Sequence, residues 1–176
     1  MRRILVTEGS TDANLMKSLL SSADLFDIQV LVGGGKSSAM SLGTSLALNF
    51  RASVAIVVDA DTTDLERLKE QHDIFDDLQR RSHLKGNCKL FLAMPTLEEE
   101  LFPCLEELQK AFPSLSVPAG ARYPKDWNKI AKPAGMLTEN GEITKQGISK
   151  VDPNSVPIVM SKPIMRELIT HFSSHG

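Results

Sequence analysis

Val54-Ala55-Ile56-Val57-Val58-Asp59-Ala60-Asp61 is the stretch that decides the fold. Its five apolar residues have no polar interruption, the pattern of a central strand buried on both faces. The run stops at two acids one residue apart. Residues 4–6 (Ile-Leu-Val) form a shorter run of the same kind, closed by Thr7-Glu8-Gly9. Residues 28–32, ended by Gly33-Gly34-Gly35, and residues 90–94, ended by Pro95, read as two further strands.

The intervals between these runs have helical spacing. Ser10, Thr11 and Asp12 are helix-start residues, followed by Leu15, Met16, Leu19 and Leu20. Residues 36–49 carry Met40, Leu42, Leu46 and Leu48. Residues 62–82 carry Leu65, Leu68, Ile74 and Leu78, and residues 97–111 form a helix interrupted near Pro103. Strands alternating with helices predict an α/β fold with a mostly parallel four-stranded sheet and helices on both faces. From 112 to 157 the periodicity fails among Pro113, Pro118, Pro124, Pro133, Pro153 and Pro157, and helix returns at 161–172. The expected organisation is a domain over 1–110 with an irregular extension over 111–176 packed on it.

Composition narrows the function classes. Formal net charge is −2, but residues 1–120 hold 12 basic and 17 acidic side chains, whereas residues 121–176 hold 8 and 5. The basic tail is a counter-surface for an anionic polymer, weak at a balance of +3. One Trp and one Tyr rule against a broad base-stacking platform. Trp127 reads instead as an anchor of the irregular segment. Cys88 and Cys104 form no disulfide framework, which points to a reduced, cytoplasmic chain. No run reaches membrane-spanning length, and the apolar start is too short for a signal peptide. His72, His83, His171 and His175 have no ligand spacing and read as solvated or terminal residues.

In a parallel sheet all strand ends after which helices begin lie on one edge. Glu8, the Asp59/Asp61 pair and the run Glu98-Glu99-Glu100 are therefore expected at the same rim. Carboxylates gathered there repel one another unless a hard divalent cation lies between them. Two such ions about 4 Å apart can activate water and stabilise a leaving oxygen in phosphodiester cleavage. Glu8 can serve as ligand or as general acid/base, and Asp12 lies one helical turn beyond it. Other readings stand beside this one. Asp59 and Asp61 can cap the following helix, and the three glutamates can be a favourable acidic first turn. Gly33-Gly34-Gly35-Lys36-Ser37 is not a full nucleotide phosphate loop, because position 30 is Val. Gly34, Gly35 and Lys36 remain candidates for contacting phosphate.

The motif set resembles the Toprim superfamily: Glu8-Gly9, then Asp59-Ala60-Asp61, then a downstream acid. It is most similar to the nuclease domains of OLD-family proteins, through Glu8-Gly9-Ser10-Thr11-Asp12, Gly34-Gly35-Lys36, Leu97-Glu98-Glu99-Glu100-Leu101 and Lys162-Pro163. The resemblance implies a Toprim-like fold and cation-dependent cleavage of nucleic acid, DNA or RNA, in repair or phage defence. It implies Mg²⁺, with Mn²⁺ able to substitute, held by Glu8, Asp12, Asp59, Asp61 and Glu98. Catalysis would fall to Glu8, Asp59, Asp61 and Lys162, the lysine neutralising transition-state charge. No ATPase domain fits this sequence, so the resemblance implies a stand-alone Toprim protein, or one that partners a separate ATPase subunit or forms a homodimer. Position 63 is Thr where topoisomerase-type relatives place a third Asp. Two rivals remain. One is a non-catalytic nucleic-acid or partner-binding module. The other is a haloacid-dehalogenase-type phosphatase, suggested by Asp59-Ala60-Asp61-Thr62-Thr63.

Overall fold

The structure, a computed structural model, describes residues 1–82, 86–115, 117–125, 130 and 151–174. The chain runs β1 (Arg3–Thr7), α1 (Ser10–Ser22), β2 (Ile28–Val32), α2 (Lys36–Phe50), β3 (Ser53–Asp59), α3 (Leu65–Arg81), β4 (Cys88–Ala93), α4 (Leu97–Leu101) and α5 (Leu105–Ala111). After the proline-rich stretch come α6 (Val156–Met160) and α7 (Pro163–Ser174). Trp127, His83 and His175 lie outside the described residues.

All four strands are parallel, in the order β2-β1-β3-β4. The expected α/β sheet is thus observed, with β1 and β3 at its centre. Side chains alternate between its faces, as the two-residue strand period requires. Ile4, Val6, Val54, Ile56 and Val58 belong to one core cluster. Leu5, Ala55 and Val57 belong to the other. Ala39 and Ala47 of α2 and Phe75 of α3 cover the first face. Leu15, Met16 and Leu19 of α1, Leu97 and Leu101 of α4, and Leu168 and Phe172 of α7 cover the second.

The α1 and α3 helices therefore leave β1 and β3 toward opposite faces. Between two adjacent strands whose connections diverge in this way a crevice opens at their C-terminal ends, the usual ligand position in an open α/β sheet. The glycine turn after β2 borders the same edge. Gly34 and Gly35 have φ of 79° and 116°, values that side chains disfavour. At Gly33 a Cβ would come within 2.4 Å of the Ala39 backbone, so the turn can fold back onto α2 only without one.

Some expectations need correction. Leu65 and Ile74 do not face the core; they are 80% and 58% exposed. Phe75 and Leu68 take the inward positions of α3, and one side of a helix cannot hold all four. Pro157 lies inside α6, in the stretch expected to be loops, because proline is tolerated in a first helical turn. His171 is buried, not solvated: its Nε2 lies 3.0 Å from the Val54 carbonyl oxygen and 3.4 Å from Ser53 Oγ.

The second half of the chain shares its core with the first. Phe112, Ile130, Val151, Met165 and Phe172 join the cluster that holds Leu5 and Val57. Phe172 is 1% exposed, so Phe172→Ala should cost about 3–5 kcal/mol in denaturant unfolding. Ile158→Ala, at a site 60% exposed, should stay within about 0.5 kcal/mol of the parent protein.

Candidate metal centre

The register of β1 against β3 pairs Thr7 with Val57. β1 stops there and β3 runs two residues further, so Glu8 and Asp59 leave the sheet at the same edge. The Glu8 carbonyl accepts hydrogen bonds from the Gly34 and Gly35 N–H groups, at 3.1 and 3.0 Å. Those amides hold the β1–α1 turn and do not face an open phosphate site. The Glu8 side chain turns inward, and its Oε2 is buried without a hydrogen-bond partner among the described residues.

Asp12 folds back over the start of α1, where its Oδ2 accepts the Gly9 N–H at 3.0 Å. Burial pushes its carboxyl up to about 6; that hydrogen bond opposes the shift, and the charges of Glu98 and Glu8 add to it. Asp59 is pushed further, to about 7. Burial again leads, opposed by the Leu97 N–H, which donates to its Oδ1 at 2.8 Å, and reinforced by Asp12, Glu8 and Asp61. Glu98 is buried, and its Oε2 also lacks a partner among the described residues. Burial raises its pKa and the charge of Asp59 contributes. Carboxylates from three strand ends thus act on one another, as the chain order predicted.

The capping alternatives resolve unequally. Asp64 caps α3, its Oδ1 accepting the Glu66 and Arg67 N–H groups at 2.9 and 3.4 Å, so that helix does not need Asp59 or Asp61. Asp59 does meet a helix start, but that of α4. Among the three glutamates, Glu98 and Glu99 line the crevice. The Glu100 Oε2 instead accepts the Met94 N–H at 2.8 Å. Its carboxylate is committed to the turn after β4.

Asp61 stands at the outer edge with φ of 56°, a left-handed conformation that aspartate tolerates better than most residues. Its Oδ2 pairs with Lys36 Nζ at 2.8 Å. Gln71 of α3 braces this contact. Its Oε1 accepts from Lys36 Nζ at 3.4 Å, and its Nε2 donates to the Ala60 carbonyl at 3.0 Å. Lys162 is not brought to the crevice; its Nζ pairs with Glu107 at 3.1 Å, beside a separate cavity next to α5 and α6.

The crevice encloses about 510 Å³. Among the described residues no three Asp, Glu, His or Cys side chains stand as a ready-made cage. The donor set nonetheless suits a hard cation. All donors are oxygens, two are buried and without a partner among the described residues, and burial raises the pKa of Asp12 and Asp59, a shift that a bound ion would oppose. Sequence reading missed Gln71, Tyr123 and Lys125. Gln71 sits in a helix of charged residues where nothing marks it. Lys125 reaches the crevice wall from the irregular segment.

No family model and no curated protein matches the chain. Among solved structures, it is similar to the C-terminal region of the Burkholderia pseudomallei OLD protein. That likeness covers 99% of this chain and 98% of the other, at 17% sequence identity and a TM-score of 0.49. Among the described residues no helix is long and apolar enough to cross a membrane.

The carboxyl shifts have a measurable consequence. A carboxyl raised in the folded state favours that state fully below its unfolded pKa, and the contribution is lost as pH rises through the folded value. Without divalent cation, Asp12 and Asp59 should therefore make stability fall between about pH 4 and pH 7. Urea unfolding in chelator across that range should find the decline, and Asp59→Asn should flatten it.

Proposed function

We propose that the chain hydrolyses phosphodiester bonds of nucleic acid with a divalent cation, Mg²⁺ or Mn²⁺, held by Glu8, Asp12, Asp59, Asp61 and Glu98. The observation that carries this reading is the gathering of Asp12, Asp59 and Glu98, which follow or end three different strands, on one crevice, where burial first and neighbouring carboxylates second raise their pKa values. The Toprim-like motif order in the sequence supports it. A bound cation would supply Lewis acidity toward a phosphoryl oxygen and lower the pKa of a coordinated water.

The protein's own groups divide the remaining work. Asp59 is fixed by the Leu97 N–H through one oxygen and leaves the other for an ion. Glu8 and Glu98 each offer a buried, unpartnered oxygen. The acids of the crevice repel a polyanion, so a phosphate can approach only beside cations. Lys36 is the nearest candidate at the outer edge. Ligation by Asp61 would release its ammonium from the 2.8 Å ion pair and let it take a phosphate oxygen. Lys162, held by Glu107, takes no part in these steps.

The phosphatase alternative gives Asp59 the nucleophile's task and leaves Glu8 and Asp12 without one, although both act on Asp59 electrostatically. Incubation with single- and double-stranded DNA and RNA, in Mg²⁺ and in Mn²⁺, tests the proposal. Cleavage is expected with cation and none in chelator. Glu8→Gln and Asp59→Asn should each lower turnover by about 100-fold or more. A phosphatase would lose activity with Asp59→Asn yet survive Glu8→Gln. A binding module would bind nucleic acid and cut none.

Cation binding should also register without turnover. Mn²⁺ should raise the melting temperature of the protein at pH 7 by several degrees, and the gain should vanish in Asp59→Asn.

A further inference from the structure

The crevice has one wall that the acids do not build. Residues 117–125 cross the second face of the sheet, with Val117, Ala121 and Tyr123 packed against its core. The Tyr123 hydroxyl lies 2.9 Å from the Glu98 carbonyl and also reaches that of Phe102. One carbonyl belongs to Glu98 itself, in the first turn of α4, and the other to Phe102, which closes that helix. Burial and the nearby charges of Glu98 and Glu99 raise the phenol's pKa, so it stays a donor. Two residues further on, Lys125 is exposed and lines the crevice beside Asp12, Asp59, Glu98 and Glu99.

Lys125 lines this acidic wall, exposed and without an ion pair to any described residue. Lys36 and Lys162 are engaged, the first by Asp61 and the second by Glu107. Lys36 begins α2 on the first face of the sheet and Lys125 follows a segment packed on the second, so a polyanion at the crevice has a positive group available on each side. Lys125 is placed to be the one on the second face.

We propose that Lys125, positioned by the contact of Tyr123 with the end of α4, binds a backbone phosphate of the nucleic acid on the crevice wall opposite Lys36. The inference rests on the nuclease reading above and adds a binding residue and a positioning residue to it. A phosphate contact of this kind carries no sequence information; it fixes the strand's register.

The test separates phosphate contact from charge neutralisation. Fluorescence anisotropy with a labelled oligonucleotide, across a salt series, should find Lys125→Ala about 3–10-fold weaker at low salt, with the salt slope reduced by about 1. Lys125→Arg should restore both. Mn²⁺ affinity, read by electron paramagnetic resonance, should be unchanged in either variant. Tyr123→Phe should weaken oligonucleotide binding in the same direction, and adding Lys125→Ala to it should cost less than Lys125→Ala alone. An unchanged slope in Lys125→Ala overturns the inference, as does a change in Mn²⁺ affinity without one in the slope. The parent reading fails separately: a wild-type chain that binds no Mn²⁺ sinks the metal centre, while the salt slope still decides Lys125. A wild-type chain that binds no oligonucleotide overturns both.

Discussion

The hydrogen-bonded ladder between β1 and β3 is the constraint on which the rest depends. Its register, Thr7 opposite Val57, brings the ends of two parallel strands to one edge, with β3 running two residues further. The acids that follow them, Glu8 and Asp59, have no separate places to go. Because α1 and α3 depart to opposite faces, neither helix covers the gap between the strand ends. A parallel sheet with this connectivity leaves a crevice there, and this chain lines it with carboxylates.

The crevice is held in an unfavourable electrostatic state. Burial and mutual repulsion push Asp12 and Asp59 toward protonation near neutral pH, and Glu8 and Glu98 each keep a buried oxygen with no partner among the described residues. A fold selected for stability alone has cheaper ways to end a strand, as Asp64 illustrates by capping α3 with two hydrogen bonds. Buried polar atoms without partners call for an explanation, and the proposed cation would supply one. The surrounding contacts maintain that point. The glycine amides fix the Glu8 turn, the Leu97 amide fixes Asp59, and Tyr123 fixes the end of α4 under Glu98.

Charge is distributed around the crevice in the same spirit. Lys36 stands on one side, paired with the most exposed acid and braced by Gln71. Lys125 stands on the other, brought there by a segment with almost no regular structure. A basic tail with a balance of only +3 gave little reason to expect a specific contact. One well-placed lysine matters more at a site than the average charge of the segment carrying it.

The alternation of strands and helices, the central position of β3 and the membership of Glu8, Asp59 and Asp61 in one rim were legible in the residues themselves. Hydrophobic period and chain order suffice for them, because a parallel sheet admits few arrangements. Other features depended on packing between distant segments. Glu98, Glu99 and Glu100 are alike in chemistry, and only the resemblance favours Glu98; the turn after β4 buries the first and engages the third with the Met94 amide. Lys162 follows the motif order yet is drawn to Glu107, and Leu65, apolar and in phase, is left 80% exposed while Phe75 takes the core. Gln71, Tyr123 and Lys125 carry no local signal, since their roles exist only against residues distant in the chain, such as Lys36 for Gln71 and Asp12 for Lys125. Local pattern fixes what each segment can become; which side chains finally meet is set by how the segments pack.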